Sequence, residues 1–200
     1  MSSIRRVRLS PDARREQLLK LGVQMLATRT LDELSVEDLA EEAGISRGLL
    51  FHYFRNKQEF HREVVLRAAQ QLLKRTDPNP ELAPMEQLNR TLENYLDYVT
   101  ENYSSYSYLI RGSATANVEL RQIIEDTRSE MARRVSDNLH LLGLPDDDLS
   151  RLAIRGWLAF TEQVAVQWVP DQKVPRERIL QMFASSLPAL ILASHEPQEP

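Results

Sequence analysis

The sequence predicts an all-α fold of about nine helices, arranged as a small three-helix N-terminal part and a larger helical C-terminal part. Three observations carry that expectation. Apolar residues recur at helical spacing through nearly every readable segment, without alternation bounded by hairpin signals. Capping residues punctuate the first 60 residues. Three prolines fall within residues 78–84, which no continuous helix tolerates. At 200 residues, 42% hydrophobic and 27% charged, the composition is that of an ordinary globular protein with length enough for a sizeable core.

Each element follows from local signals. Ser10-Pro11-Asp12 opens the first helix, with proline at a favoured early position. Its stripe is Leu18, Leu19, Val23, Met25 and Leu26, and it stops near Arg29. Ser35 caps a second helix, with Asp38 three residues on in a capping-box-like pattern. Leu39, Ala40 and Ala43 form its inner face, and Gly44 ends it with a left-handed turn. Ser46 caps a short third helix running to about Phe54, and Arg55-Asn56-Lys57 turns the chain into a fourth over about 57–75. Beyond the prolines, five more helical segments are expected at about 85–102, 103–113, 117–142, 146–169 and 175–194, with a kink at Pro188 and a frayed tail from His195. The expected division is residues 1–56, a linking helix 57–75, and residues 76–200.

Composition removes several classes of function. Without cysteine there is no disulfide, thiolate zinc site or cysteine nucleophile. His52, His61, His140 and His195 do not cluster at ligand spacing, so no metal is expected. Six glycines form neither phosphate-loop motif, so no nucleotide cofactor is expected. No apolar run has transmembrane length. Arg5, Arg6 and Arg8 precede no apolar segment and are not a signal peptide, so the expected location is cytoplasmic. The sequence bears no GxSxG or HExxH, and Arg111-Gly112-Ser113 lacks the flanks of a nucleophile elbow, so no catalytic residue and no enzyme is expected. Asp146-Asp147-Asp148 is read as charge complementing a helix N-terminus rather than as a metal cluster.

Net charge is −4, but its distribution is uneven. Residues 1–20 hold six Lys/Arg against two Asp/Glu, residues 21–46 one against six, residues 47–75 seven against two, and residues 76–200 eleven against nineteen. Two basic stretches near the N-terminus permit an anionic partner there.

Residues 35–54 have the size and punctuation of a helix-turn-helix. At about 100° per residue, Leu49, Leu50, Tyr53 and Phe54 of the third helix group on one side. Arg47, Gly48, Phe51 and His52 group on the other. That outer side offers a guanidinium for guanine edges, bare backbone for close approach and a ring for a thymine methyl, while His52 or Lys57 can reach phosphate. Spacing alone leaves Phe51 open between contact with DNA and packing on the first or fourth helix. Arg5, Arg6 and Arg8 are open between a solvated tail and an arm on the duplex.

Ser35 through Phe60, SVEDLAEEAGISRGLLFHYFRNKQEF, closely resembles the TetR family of bacterial transcription regulators. The similarity covers about residues 12–60. The resemblance implies that Ser46, Arg47, Gly48, Phe51 and His52 lie on the DNA-facing helix, that Tyr53 and Lys57 contact phosphate, and that Ser35 touches backbone phosphate. Two positions depart from the family pattern: Phe51 stands where tyrosine is usual, which removes a hydroxyl contact, and Thr30 stands where glycine is usual, at the end of the first helix.

In the acidic remainder, five of the six tyrosines fall between 95 and 108. This clustering points to a largely apolar pocket with hydroxyls that orient a ligand. The expected effector-binding residues are Tyr95, Val99, Tyr106, Leu109, Ile110, Met131, Trp157, Phe160 and Thr161, and an apolar or acyl-bearing small effector fits such a lining. Trp157, Phe160, Val164 and Trp168 recur on the eighth helix, and Ile179, Phe183, Leu187, Leu190 and Ile191 on the ninth. One pair of helices buries only part of this in a monomer. The family resemblance implies a homodimer through these last two helices, with Phe183 and Leu187 expected in the interface.

The combined expectation is a homodimeric regulator that binds a near-palindromic double-stranded operator and, as a repressor, releases it when a small ligand fills the second domain. The alternative is a helical small-molecule sensor or partner-binding module without DNA binding.

Overall fold

Side chains that accept the first free backbone amides fix where the helices begin. In the computed structural model, which describes residues 10–111 and 117–195, the chain forms α1 (Pro11–Met25), α2 (Val36–Glu42), α3 (Arg47–Tyr53), α4 (Lys57–Arg75), α5 (Pro84–Glu101), α6 (Tyr103–Ile110), α7 (Val118–Asp137), α8 (Asp148–Trp168) and α9 (Arg176–His195), with no strand among the described residues. Ser10 Oγ accepts from Ala13 N at 3.2 Å, Ser35 from Asp38 N at 3.0 Å and Ser46 from Leu49 N at 3.2 Å. Asn56 caps α4 through Glu59 N at 2.8 Å, and Asp147 caps α8 through Ser150 N at 2.8 Å. Each such cap contributes about 1 kcal/mol. Where no side chain caps, as at α5, Pro84 takes the first turn and its missing N–H is no loss.

The apolar faces assemble into two cores. The first joins Leu18, Leu26, Leu34, Leu39, Leu50, Phe54, Phe60 and Val64 into a head. α1 and α4 approach closely at Gly22, where an added Cβ would stand 2.7 Å from Val64 Cγ2 and 2.9 Å from Phe60 Cζ of α4. The head core does not stop at residue 56: Phe60, Val64 and Val65 of α4 and Leu120 of α7 belong to it. The second core gathers Leu96, Val99, Ile154, Trp157, Phe183, Leu187 and Ile191 from α5, α8 and α9. Polar ties fix its register. Trp157 Nε1 donates to the Phe183 carbonyl at 3.0 Å, and Arg176 at the start of α9 pairs with Asp97 of α5 at 2.6 Å.

Several expectations are corrected. α1 ends at Met25 rather than near Arg29, and the segment that follows is held by a reciprocal pair in which Thr30 N donates to Glu33 Oε2 at 2.8 Å and Glu33 N to Thr30 Oγ1 at 3.4 Å. α7 ends at Asp137, and Leu139–Leu142 form a separate 3₁₀ turn closed by Gly143 at φ 67°. α9 runs on through Pro188 to His195. Phe183 and Leu187 are fully buried within the protomer, as are Trp157 and Trp168 nearly so, and thus do not form a free face. The basic residues Arg5, Arg6 and Arg8, the Gly112-Ser113 pair and the tail beyond His195 lie outside the described residues.

Candidate nucleic-acid interface and ligand cavities

The turn between α2 and α3 is made by Gly44 at φ 63°, where a side chain would be strained, and by Ile45 N, which reaches back to the Ala40 carbonyl at 2.9 Å. α3 is anchored by few residues. Leu50 and Phe54 are buried, and the Phe54 ring meets Phe60 edge-on at 5.1 Å between centroids with the Arg15 guanidinium 5.1 Å from its centre. The rest of the helix faces solvent. Ser46, Arg47, Gly48, Phe51 and His52 are all exposed, Tyr53 is half-buried with its ring against His52, and Lys57 is exposed at the first turn of α4. Leu49, expected on the inner side, is exposed as well.

Phe51 is not a core residue: it is 45% exposed, a large ring on the solvent side of α3 between Arg47, Gly48 and His52. Gly48 carries a related message. A Cβ there would meet nothing within 4 Å, so internal packing does not account for the bare backbone. Both features fit a surface that another molecule approaches closely. The face is basic at Arg47, His52, Arg55 and Lys57, but the Arg47 guanidinium is ion-paired with Glu37 of α2 and Lys57 Nζ lies 3.5 Å from the Asp32 carbonyl. Ser35 is half-buried at the N-terminus of α2, its hydroxyl engaged with Asp38 N.

Two cavities, each partly open to solvent, border the second core. The larger, of about 890 Å³ including its open mouth, lies among α5, α7, α8 and the proline-bearing linker, and its walls include Leu88, Leu92, Tyr95, Met131, Trp157 and Thr161. The smaller, of about 560 Å³ including its open mouth, lies among α4, α6 and α7, and its walls include Val65, Leu72, Tyr106, Leu109, Ile110 and Ile123. Arg128, Met131 and Glu162 border both. Of the residues expected around one pocket, Tyr95, Trp157 and Thr161 line the first, Tyr106, Leu109 and Ile110 the second, and Met131 both. Val99 lines neither, because it is fully buried in the core behind them. Phe160 lies on the outer face of α8, its ring edge-on to Phe183 at 6.1 Å.

Sequence reasoning missed the polar partition between the cavities. Glu162 sits within the apolar stripe of α8, only 8% exposed, and its carboxylate takes Arg128 Nε at 3.0 and 3.1 Å and Nη2 at 2.8 Å. The Glu162 hydrogen bonds, with the Glu162 and Glu125 charges, raise the Arg128 guanidinium further above its ordinary range, against the opposing effect of burial. Beside the pair, the Tyr95 and Tyr106 hydroxyls are 3.0 Å apart, and desolvation raises both tyrosines. The signal that marks this partition is a lone acid at a core register of α8.

The smaller cavity also touches the head. Leu109 and Ile123 line the smaller cavity and pack against the head core, and Val65 belongs to both. Tyr108 of α6 extends the connection: its hydroxyl is pushed up to about 12 by desolvation and by a hydrogen bond to Asp32 in the segment between α1 and α2.

Comparison with known proteins agrees with this geometry. Residues 18–64 match the family described as bacterial regulatory proteins, tetR family, and residues 84–188 match the tetracyclin repressor-like C-terminal domain. The transcriptional repressor KstR2 of Mycolicibacterium smegmatis is 42% identical over 55 residues, which span 28% of this chain and only 27% of that protein. The regulator EthR of the same organism is 38% identical over 73 residues, covering 36% of this chain and 32% of EthR. A crystal structure of a tetR-family transcriptional regulator from Streptomyces coelicolor superposes with a TM-score of 0.83 at 25% identity, over 93% of this chain and 83% of that one. With a reading head and a cavity-bearing helical domain each matched, the chain belongs to the TetR family of bacterial transcription regulators.

Proposed function

We propose that this protein is a dimeric repressor that binds a near-palindromic operator through α3 and leaves it when an apolar small molecule occupies the cavities of the second domain. The observation that carries the reading is the outer face of α3, where Arg47, Gly48, Phe51 and His52 are exposed together on a helix held by only two buried anchors. In this reading Arg47 and Phe51 meet base edges, and Ser35, Tyr53 and Lys57 hold phosphates. Residues 1–56 form the DNA-binding domain with α4 as its link, and residues 76–200 form the effector and dimerisation domain.

Dimerisation is assigned to the outer faces of α8 and α9. Leu152, Gly156 and Phe160 follow one another at four-residue spacings with Ala159 beside them, and all are exposed. Met182, Ala189 and Leu190 present a matching row on α9. A two-fold axis through this face would set two copies of α3 on successive major grooves.

An apolar, acyl-bearing effector suits the lining of both cavities. The FadR of Bacillus subtilis, which shares the fold at 20% identity and a TM-score of 0.63, was crystallised in complex with stearoyl-CoA. Release is a population shift: the ligand favours a dimer whose heads are wrongly spaced. Its route follows from Val65, Leu109 and Ile123, which belong to a cavity wall and to the head core alike.

The test is selection of bound duplexes from random DNA, followed by titration of medium- and long-chain acyl compounds. Enrichment of a palindrome whose half-sites lie one helical turn apart, with affinity falling steeply in salt, is expected. An effector should weaken the operator complex, and the operator should weaken effector binding by the same factor. A pool that shows neither enrichment nor salt dependence would leave the sensor-only alternative.

A further inference from the structure

The two cavities meet at a boundary whose chemistry is unlike their walls. Tyr95 lines one cavity and Tyr106 the other, while Arg128 and Glu162 border both. The ion pair is matched in charge, Arg128 lying between Glu162 and Glu125. Both Glu162 oxygens accept from Arg128, and the remaining Arg128 terminal nitrogen, Nη1, donates to Glu125 at 2.7 Å. It offers a ligand no uncompensated charge, so a ligand carboxylate at this point would face Glu162 unpaired and an ammonium would face Arg128 unpaired.

The tyrosine pair is not closed. Two hydroxyls carry two donor protons, and the single bond between them uses one. Four other hydroxyls around the cavities are spent on backbone carbonyls: Tyr98 on Ala68 at 2.9 Å, Thr161 on Leu158 at 2.8 Å, Thr127 on Ile123 at 2.6 Å and Thr76 on Leu72 at 2.8 Å. The second proton of the Tyr95–Tyr106 pair has no such acceptor, although the two residues are only 4% and 8% exposed. A buried donor left unmade is costly, on the order of 1–3 kcal/mol.

We propose that the two cavities are the two arms of one effector site, and that the effector is an elongated, uncharged apolar molecule with a ketone, ester or amide carbonyl near its middle, which accepts the spare proton of the Tyr95–Tyr106 pair while its apolar ends fill the two arms. This deepens the proposed effector response and rests on it. It specifies what the site selects: position of the oxygen along the chain, and absence of charge there.

Four eleven-carbon probes separate the possibilities: 6-undecanone, 2-undecanone, undecane and undecanoate, each followed by Trp157 and Trp168 fluorescence and by thermal unfolding of the full chain. The expected order places 6-undecanone first, about tenfold tighter than undecane, the size of one net hydrogen bond. Tyr95→Phe and Tyr106→Phe each leave one hydroxyl donor and should keep that preference. The double substitution removes both hydroxyls from an apolar setting, keeps the fold, and should bring 6-undecanone and undecane to equal affinity.

Equal affinity for 6-undecanone and undecane in the unsubstituted protein would show an apolar site without the carbonyl reader, and would overturn the proposal. Tightest binding of 2-undecanone or undecanoate would overturn it too, as would a preference that survives the double substitution or a failure of all four probes to bind. None of these outcomes touches operator selection, whose failure would instead remove the repressor reading.

Discussion

Arg47 of α3 and Glu37 of α2 are ion-paired across the turn between their helices. The guanidinium assigned to base reading is thus already held by a carboxylate on the neighbouring helix. Both side chains are more than half exposed, so the pair is weak in water, but it has to open before Arg47 reaches a base.

Glu37→Gln should therefore raise affinity for operator and for unrelated DNA, because it removes a competitor and a negative charge near the phosphates. Arg47→Ala should cost about 1–3 kcal/mol on the operator and relax preference at one position per half-site. Binding isotherms on the selected operator and on scrambled duplexes distinguish the two. An equal loss on every sequence for Arg47→Ala would assign the residue to the backbone.

Lys57→Ala should weaken binding to all duplexes alike and reduce the slope of log affinity against log salt by about one. A loss confined to the operator would contradict a phosphate contact. Titrations at several salt concentrations give the slope directly.

For assembly, the buried and exposed aromatic residues of the last two helices should behave oppositely. Phe160→Asp alters the outer face of α8 and should give a folded monomer with reduced operator affinity. Phe183→Asp places a carboxylate in the protomer core and should unfold the second domain, since an unpaired buried charge is heavily disfavoured. Sedimentation together with circular dichroism separates them, and a Phe160→Asp dimer as tight as the parent would move the interface elsewhere.

The His61 ring is hydrogen-bonded to the Leu34 carbonyl at 3.0 Å, and desolvation holds its pKa below the ordinary value of 6.5. The unfolded chain then binds a proton more readily than the folded one. Stability contributed by neutral His61 is present above the unfolded value and falls as pH drops from about 6.5 towards the lower folded value. His61→Gln keeps a donor to Leu34 and should flatten the change in unfolding midpoint between pH 7.5 and 5.5. An unaltered profile would place the titration elsewhere.

A large side chain at Met131, which borders both cavities, should block the site without disturbing α3. Met131→Trp should abolish effector-induced release while operator affinity stays as in the parent. Normal release by this variant would show that the effector binds outside the two cavities.

The head was legible because its signals are local. Ser10, Ser35 and Ser46 act as caps within three residues of their targets, and Gly44 needs only its own φ. The second domain depends on which apolar face meets which, and that is not local. α9 is apolar on several sides, so Phe183 in the core and Leu190 on the surface look alike in sequence. Val99 and Tyr95 lie one helical turn apart, yet only Tyr95 borders a cavity, since the outcome turns on how α5 is rotated against α8 and α9. The Arg128–Glu162 pair joins positions 34 residues apart, beyond any helical register.

Gly22 settles how a signal can travel. With α1 seated so closely on Val64 and Phe60 that a single methyl group does not fit, α1 and α4 have no slack to slide past each other. A displacement of α4 at the cavity must carry the whole head with it as a stiff lever. In the proposed dimer, such a lever would keep the reading surface of α3 in shape, so that an effector would retune the separation between the two heads and leave the base preference of each half-site untouched.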